Sequence, residues 1–208
     1  MDVEKLNAIL KEYAPIGAVD YCISLWKKSP FDFKVTKKRN TKVGDFTSKG
    51  HRRNPRITIN QDLNPYLFLQ TFIHEVAHLH VYITLGNKVE PHGDEWKRTF
   101  SNLMLPLLAE HVFPQDILIE LHRHMANPKA SSYADPKLIE VFRKHDKNRA
   151  IHIVLSQLPE GSVFNFHGRY FKKGKLRRTR ILCQEIKSKR NYLVPADALV
   201  SNVQLSLL

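Results

Sequence analysis

The stretch Thr71-Phe72-Ile73-His74-Glu75-Val76-Ala77-His78-Leu79 contains the pattern His-Glu-x-x-His inside a run of apolar residues. If this run is helical, His74 and His78 lie one turn apart on the same face, with Cβ atoms about 6 Å apart. Two imidazoles at that spacing both reach one Zn²⁺ at about 2.0–2.1 Å. Glu75 follows the first histidine, where its carboxylate can polarise a water molecule instead of binding the metal. The pattern predicts one zinc site with Glu75 as the general base.

The segment around this pattern has clear start and stop signals for a helix. Asn64-Pro65 combines a capping residue with a proline suited to the first helical position, and Gly86 suits the end. Apolar residues occupy most sides of the helix between them, which indicates a central helix. A histidine and a glutamate buried there need partners, and a metal ion would be one.

A peptidase zinc site needs a third protein ligand and an open fourth position. His80 is too close to His78 in sequence to share its face, so we interpret it as a residue that supports the ligands or packs in the core. His92 is the better candidate, because it precedes a new helix at about residue 94 in a loop that can approach the metal. Gly93 beside it permits a close approach of the backbone.

The run HEVAHLHVY followed by PHGDEWK resembles the SprT-like metallopeptidase family, whose pattern is a His-Glu-x-x-His helix and then His-Gly before an aromatic residue. The likeness covers roughly residues 1–125. It implies a zincin-like endopeptidase fold with His74, His78 and His92 as zinc ligands and Glu75 as the catalytic base. Eukaryotic relatives such as Spartan degrade proteins crosslinked to DNA. Many relatives end in a zinc ribbon with paired Cys-x-x-Cys, which this chain lacks, so a second zinc is not expected.

Composition indicates a folded protein without a membrane span. Of 208 residues 42% are hydrophobic and 10% aromatic, which favours a packed core over disorder. No run of 18 apolar residues occurs, and the N-terminus lacks the basic-then-apolar order of a signal peptide. Cys22 and Cys183 are too few for a disulfide framework and are interpreted as buried thiols. We therefore expect a cytoplasmic protein with no membrane partner.

The spacing of apolar residues predicts an α+β fold. Helical patterns precede strand patterns at residues 31–36, 43–47 and 56–60, which we interpret as a small, mostly antiparallel sheet. One edge of that sheet could bind an extended peptide as an additional strand. Residues 1–149 are predicted to form the metallopeptidase domain, with residues 126–134 as a hinge between its helical body and the C-terminal part of the chain.

From Ile151 the pattern changes to short strands separated by turns, so residues 150–208 are predicted to form a small β appendage without zinc. A β-meander is expected there, with a core built from the aromatic and aliphatic residues Phe164, Phe166, Tyr170, Phe171, Ile181 and Tyr192.

The net charge of +13 is concentrated in two blocks. Residues 27–56 and residues 161–190 each carry a net charge of +9, whereas the rest of the chain is mildly acidic. Such blocks favour a polyanionic partner, and we predict non-specific, salt-sensitive DNA binding. The predicted contact residues are Lys37, Lys38, Arg39, Arg52, Arg53, Lys172, Lys173, Arg177, Arg178 and Arg180.

Taken together, these patterns predict a zinc-dependent endopeptidase that hydrolyses protein or peptide substrates, including DNA-associated proteins. The alternative is a non-catalytic nucleic-acid-binding protein in which zinc is structural. Glu75 argues against that alternative, because a structural zinc normally has four protein ligands and no adjacent base.

Overall fold

The computed structural model describes residues 1–39, 41–48, 54–86, 88–146 and 153–204, without the side chains of residues 132 and 202–204. The chain divides into two units, Met1–Lys147 and Asn148–Leu208. The boundary predicted at residues 149 and 150 falls outside the described residues. Helices and sheets together make an α+β fold, as the sequence predicts. Within the described residues, no helix is both long enough and apolar enough to cross a membrane.

The first unit contains six α-helices and one three-stranded sheet among its described residues. The helices are α1 (Val3–Tyr13), α2 (Val19–Lys28), α3 (Pro65–Leu85), α4 (Asp94–Met104), α5 (Gln115–Met125) and α6 (Pro136–Lys144). The strands are β1 (Asp32–Thr36), β2 (Gly44–Thr47) and β3 (Arg56–Asn60).

Helix α3 is the centre of the first unit. Its start follows the prediction, because the Asn64 side chain accepts hydrogen bonds from the backbone N–H groups of Tyr66 and Leu67. It ends at Gly86, whose φ of 68° lies in the left-handed region that glycine tolerates best. Phe68, Phe72 and other apolar residues of α3 are fully buried, and the helix packs against α1, α4, β2 and β3.

The sheet of the first unit is mixed, so the prediction of a mostly antiparallel sheet is wrong. The strand order is β1-β3-β2, with β3 parallel to β1 and antiparallel to β2. Ile57 and Ile59 of β3 are fully buried, which suits the central position. Alternation of apolar residues specifies the two faces of a strand but does not specify its neighbours, so the sequence pattern missed this order.

A polar cluster around the buried carboxylate of Asp135 joins α5 to α6. Asp135 caps α6 by accepting a hydrogen bond from the Leu138 N–H, and it is bonded to Arg123 and His124 of α5 at 2.7 and 2.9 Å. Burial alone would raise the pKa of Asp135, but the hydrogen bonds from His124, Arg123 and Leu138 outweigh burial and lower it to about 2. The cap of α6 therefore depends on an ionised carboxylate.

The second unit is a six-stranded antiparallel sheet with the order β4-β9-β5-β6-β7-β8. The strands are β4 (Ile153–Val154), β5 (Val163–Phe166), β6 (Arg169–Arg177), β7 (Arg180–Glu185), β8 (Asn191–Pro195) and β9 (Leu199–Gln204). Strands β5 to β8 form the expected meander. Strand β9 was not predicted, and it returns to pair with both β4 and β5.

The core of the second unit partly follows the prediction. Phe164, Phe171 and Ile181 are buried, and Phe166 and Tyr192 pack against them. Tyr170, however, is 48% exposed, so its place in the predicted core is wrong. It belongs to the outer face of β6, because neighbouring residues of a strand point to opposite faces and the next residue, Phe171, points inward.

Candidate metal centre

Helix α3 and the loop before α4 bring three histidines together. His74 and His78 lie one turn apart on α3. His92 lies in the loop before α4, where the Gly93 N–H donates to the Glu90 carbonyl oxygen and the Gly93 carbonyl accepts from Lys97. The helix supplies two candidate ligands by local geometry, and the hydrogen-bonded loop places the third candidate beside them.

The three Nε2 atoms form a compact triangle. Their separations are 3.2 Å for His74–His78, 3.0 Å for His78–His92 and 3.3 Å for His74–His92. Tetrahedral ligands at about 2.0–2.1 Å from a Zn²⁺ ion would be about 3.3–3.4 Å apart. Three such close nitrogens cannot all be paired by hydrogen bonds, because each neutral imidazole has only one N–H. The donor set therefore fits a metal ion.

The protonation states of the three histidines also fit a metal. Burial lowers the pKa of His74, His78 and His92, in the case of His78 to about 4. All three rings are therefore neutral at pH 7. The neutral imidazole is the form that binds a metal ion.

Trp96 of α4 packs against all three histidine rings. The centroid of its ring lies 4.6, 5.3 and 4.8 Å from those of His74, His78 and His92, and it stacks on Phe100 at 4.9 Å. The structure shows that Trp96 supports the rings of the candidate ligands, a role that no local pattern signals.

Glu75 follows His74 on α3 and is not one of the three residues that could hold a metal ion. It is 6% exposed, and it borders a cavity of about 220 Å³ together with His74, Gly44 and Ser131. Burial raises the pKa of Glu75 to about 8, and the Asp45 carboxylate acts in the same direction, whereas a hydrogen bond from the Phe46 N–H opposes both. The role of Glu75 as a general base stays a prediction, and its side chain borders the same cavity as His74.

Gly44 at the start of β2 makes the approach of β2 to α3 possible. A Cβ atom at this position would lie 2.4 Å from Glu75 Oε1 and 2.6 Å from Thr71 Cγ2. Both distances are far below ordinary contact, so only glycine fits here without a shift of its neighbours. No sequence signal singled out this residue as part of the site.

The segment between α5 and α6 forms a wall of the cavity at the metal centre. Ala130 and Ser131 border that cavity together with His74 and Glu75. The prediction of a hinge at residues 126–134 is therefore wrong, because α6 packs against α5 within the first unit. His80, which we interpreted as a supporting or core residue, does not join the three ligands, and its Nε2 is buried without a partner among the described residues.

The predicted nucleic-acid residues fall into several structural situations. Lys37 and Lys38 are exposed in the first unit, whereas Arg39 is bonded to Asn60 and Thr58. Arg52 and Arg53 lie outside the described residues. Of the predicted contact residues in the second unit, Lys172, Arg177, Arg178 and Arg180 are exposed.

The assignment of Lys173 to nucleic-acid binding is wrong. Its side chain is 8% exposed, and its ammonium donates to the carbonyl oxygens of Ser156 and Leu158. Lys173 shares the inner face of β6 with Phe171, because residues two apart on a strand point the same way. A phosphate could not reach this ammonium without opening the unit.

Comparison with known proteins identifies the domain that carries the site. Residues 21–111 match the model of the SprT-like family. Comparisons with the curated proteins and with the solved structures found no match. The matched segment includes β1 to β3, α3 and the loop with His92, and so it contains all three histidines and Glu75. The chain therefore contains a domain of the SprT-like family at residues 21–111.

Proposed function

We propose that the protein is a zinc-dependent endopeptidase with a zincin-like catalytic domain. The observation that carries this proposal is the triangle of Nε2 atoms of His74, His78 and His92, with the Glu75 carboxylate beside it on a cavity. The match of residues 21–111 to the SprT-like family supports it.

Zinc is the metal that this donor set favours. Three neutral imidazoles with a free fourth position are typical of catalytic zinc sites, whereas structural sites are closed by four protein ligands. The Nε2 atoms of His74, His78 and His92 would hold the ion. A bound Zn²⁺ lowers the pKa of a water molecule towards 7 and polarises a peptide carbonyl group.

Glu75 performs the proton transfer in this proposal. Its ionised carboxylate would accept a proton from the attacking water and deliver that proton to the leaving nitrogen of the cleaved peptide bond. Burial raises the pKa of Glu75 to about 8, and a bound cation nearby would favour the ionised form that this role requires. The Phe46 N–H orients the carboxylate by its hydrogen bond. Trp96 and Phe100 exclude water from the side of the histidines that faces the core, because both are fully buried.

Strand β2 is the candidate edge for binding the substrate backbone. Its only strand partner among the described residues is β3. The Asn60 N–H donates to the Val43 carbonyl, so in an antiparallel ladder the backbone groups of Gly44 and Phe46 point away from β3. An extended peptide that pairs with Gly44 would pass directly over the cavity that Glu75 borders.

The experiment that tests the endopeptidase proposal is the substitution Glu75→Gln in zinc-loaded protein. The amide is nearly isosteric and leaves the ligands intact, so zinc content should match wild type while cleavage of an unfolded protein substrate is lost. His80→Ala serves as a control, because it leaves the three candidate ligands and Glu75 unchanged. Its zinc content and its cleavage of the substrate should match wild type. Equal cleavage by wild type and Glu75→Gln would refute the assigned mechanism, and zinc binding without cleavage by wild type would favour the structural-zinc alternative.

We also propose that the second unit binds DNA without sequence preference and so brings the peptidase to DNA-associated proteins. Arg177 and Arg180 are directly opposite each other across β6 and β7, and Arg178 lies in the turn between them. Within the described residues none of the three forms an ion pair. Like charges placed opposite each other are unfavourable, and a phosphate backbone would relieve their repulsion.

A salt series with a triple substitution tests the DNA proposal. Replacing Arg177, Arg178 and Arg180 by serine should weaken binding to single- and double-stranded DNA and reduce the slope of log affinity against log salt by about 3. A control with the same change of charge replaces exposed lysines of α1 and α2, namely Lys11, Lys27 and Lys28. Equal losses in both variants, or no binding by wild type at low salt, would contradict this role of the second unit.

A further inference from the structure

A second cavity of about 390 Å³ adjoins the cavity at the metal centre, and we call it the side pocket. We propose that the side pocket binds an acidic side chain of the substrate close to the scissile bond. This inference rests on the proposed endopeptidase function and adds a substrate preference to it.

The position of the side pocket places it along the path of a bound peptide. It shares Thr41, Lys42, Val43 and Ser131 with the cavity that Glu75 borders. A peptide extended along β2 advances about 3.3 Å per residue, so one that crosses the metal centre at Gly44 reaches Lys42 after about two residues. A substrate side chain two or so positions from the scissile bond therefore enters the side pocket.

The size and the apolar walls of the side pocket suit a side chain with methylene groups. Its volume lies within the range of small-ligand sites. Val43, Leu63 and the ring of Tyr133 border it and offer apolar contact to the stem of a substrate side chain. The polar end of that side chain then meets the charged part of the border.

The charged border of the side pocket is cationic. This border contains three basic side chains but only one acidic side chain. The basic residues are Lys38, Arg39 and Lys42, and the acidic residue is Asp62. Arg39 is fixed by a hydrogen bond of 2.8 Å to Asn60, so its charge has a defined place. A carboxylate from the substrate would be attracted by this surplus of positive charge, whereas a lysine or arginine would be repelled.

Lys38 is the cation that is best able to bind the substrate. Its ammonium lies 3.5 Å from Asp62, and its side chain is 69% exposed. Lys42 is held more closely, because its ammonium lies 2.7 Å from Asp45. The loosely paired Lys38 can exchange Asp62 for a carboxylate of the substrate at little cost, since exposed ion pairs are weak.

The test is a cleavage-site profile on a diverse peptide library with zinc-loaded, full-length protein, read by mass spectrometry. Wild type should cleave peptides with Asp or Glu at one fixed position about two- to fivefold more often than peptides with neutral residues there, as expected for a partly exposed ion pair. Lys38→Glu should abolish or invert this preference, and Asp62→Asn should increase it. Lys11→Glu, the same change of charge at an exposed residue of α1 that does not border the side pocket, should leave the profile unchanged.

Binding provides a second readout that does not depend on turnover. The inactive Glu75→Gln variant should bind a peptide with Glu at the preferred position about two- to fivefold more tightly than its Gln counterpart, and adding Lys38→Glu should remove this difference. Cleavage without any acidic preference, or equal effects of Lys38→Glu and Lys11→Glu, would overturn the side-pocket inference and leave the endopeptidase proposal standing. Absence of all cleavage by wild type would refute the endopeptidase proposal itself, and the side-pocket inference with it.

Discussion

The contact between Gly44 and Glu75 leads to a sharp prediction for the substitution Gly44→Ala. The new methyl carbon would lie 2.4 Å from Glu75 Oε1 and 2.6 Å from Thr71 Cγ2, whereas ordinary contact begins near 3.4 Å. Either the Glu75 carboxylate or strand β2 must therefore move by about 1 Å. Each of these movements would change the distance between the proposed general base and a peptide bound on β2 as proposed above.

The size of the effect can be worked out from that displacement. A misplacement of about 1 Å in a catalytic arrangement reduces turnover by about 100-fold, which corresponds to about 2.7 kcal/mol in the activation free energy. Overpacking between β2 and α3 should also lower the free energy of unfolding by about 1–3 kcal/mol. Zinc affinity should stay the same, because the three ligands belong to α3 and the loop before α4.

The assay compares kcat on an unfolded protein substrate, zinc content and unfolding by urea for wild type and Gly44→Ala. Thr47→Ala in the same strand is the control, since Thr47, unlike Gly44, does not border the cavity at the candidate metal centre. We expect a large fall in kcat with full zinc content for Gly44→Ala and near-normal values for the control.

A double-mutant cycle identifies which contact matters. Glu75→Asp withdraws the carboxylate by one methylene, so its loss of activity and that of Gly44→Ala should not add in the double variant. In the Gly44→Ala variant, the additional substitution Thr71→Ser removes only the clash with Thr71 Cγ2. It should therefore restore the free energy of unfolding more than it restores kcat. Unchanged kcat in Gly44→Ala, or strictly additive losses with Glu75→Asp, would refute the reasoning that glycine is needed here to place Glu75.

Three further predictions concern the ligands, the capped helix and the second unit. His92→Ala should lower zinc content in equilibrium dialysis, whereas His80→Ala should not; equal zinc content in both would contradict the ligand assignment. The pKa of Asp135 is lowered to about 2, so its contribution to stability is present above about pH 4 and is lost as the pH falls towards 2. In Asp135→Asn, the free energy of unfolding by urea should therefore fall less steeply with acid than in wild type. The same pH profile in both proteins would contradict this role of Asp135. Lys173→Ala removes the ammonium from the buried carbonyl of Leu158 and the part-buried carbonyl of Ser156, and it should destabilise the second unit by about 1–3 kcal/mol while the folded form binds DNA as wild type does. Lost DNA binding without lost stability would show that Lys173 contacts the nucleic acid after all.

The helix and the candidate ligands could be predicted because their signals are local. The capping side chain of Asn64, the proline after it and Gly86 each act within one turn of the helix that they bound. The separation of His74 and His78 follows from helical geometry alone. The position of His92 before a new helix made it a candidate for the third ligand. Its distances to His74 and His78, however, depend on the tertiary structure.

The strand order and the true environment of the cations could not be predicted in the same way. The pattern of β3 shows which residues face inward but not that β1 lies parallel beside it. Lys173 looks like its exposed neighbour Lys172 in the sequence, yet it points to the opposite face of β6. Only the pairing of the strands decides which of two adjacent lysines is buried.

The amino-acid sequence by itself determined a central helix with two histidines one turn apart and a glutamate beside the first. These features depend on backbone hydrogen bonds between residues four apart. Tertiary structure alone decided that Gly44 lies against Glu75, that Trp96 supports all three histidine rings, and that a cationic pocket adjoins the metal centre. Those features depend on packing between segments that are distant in the chain, and such packing has no local periodicity from which it could be read.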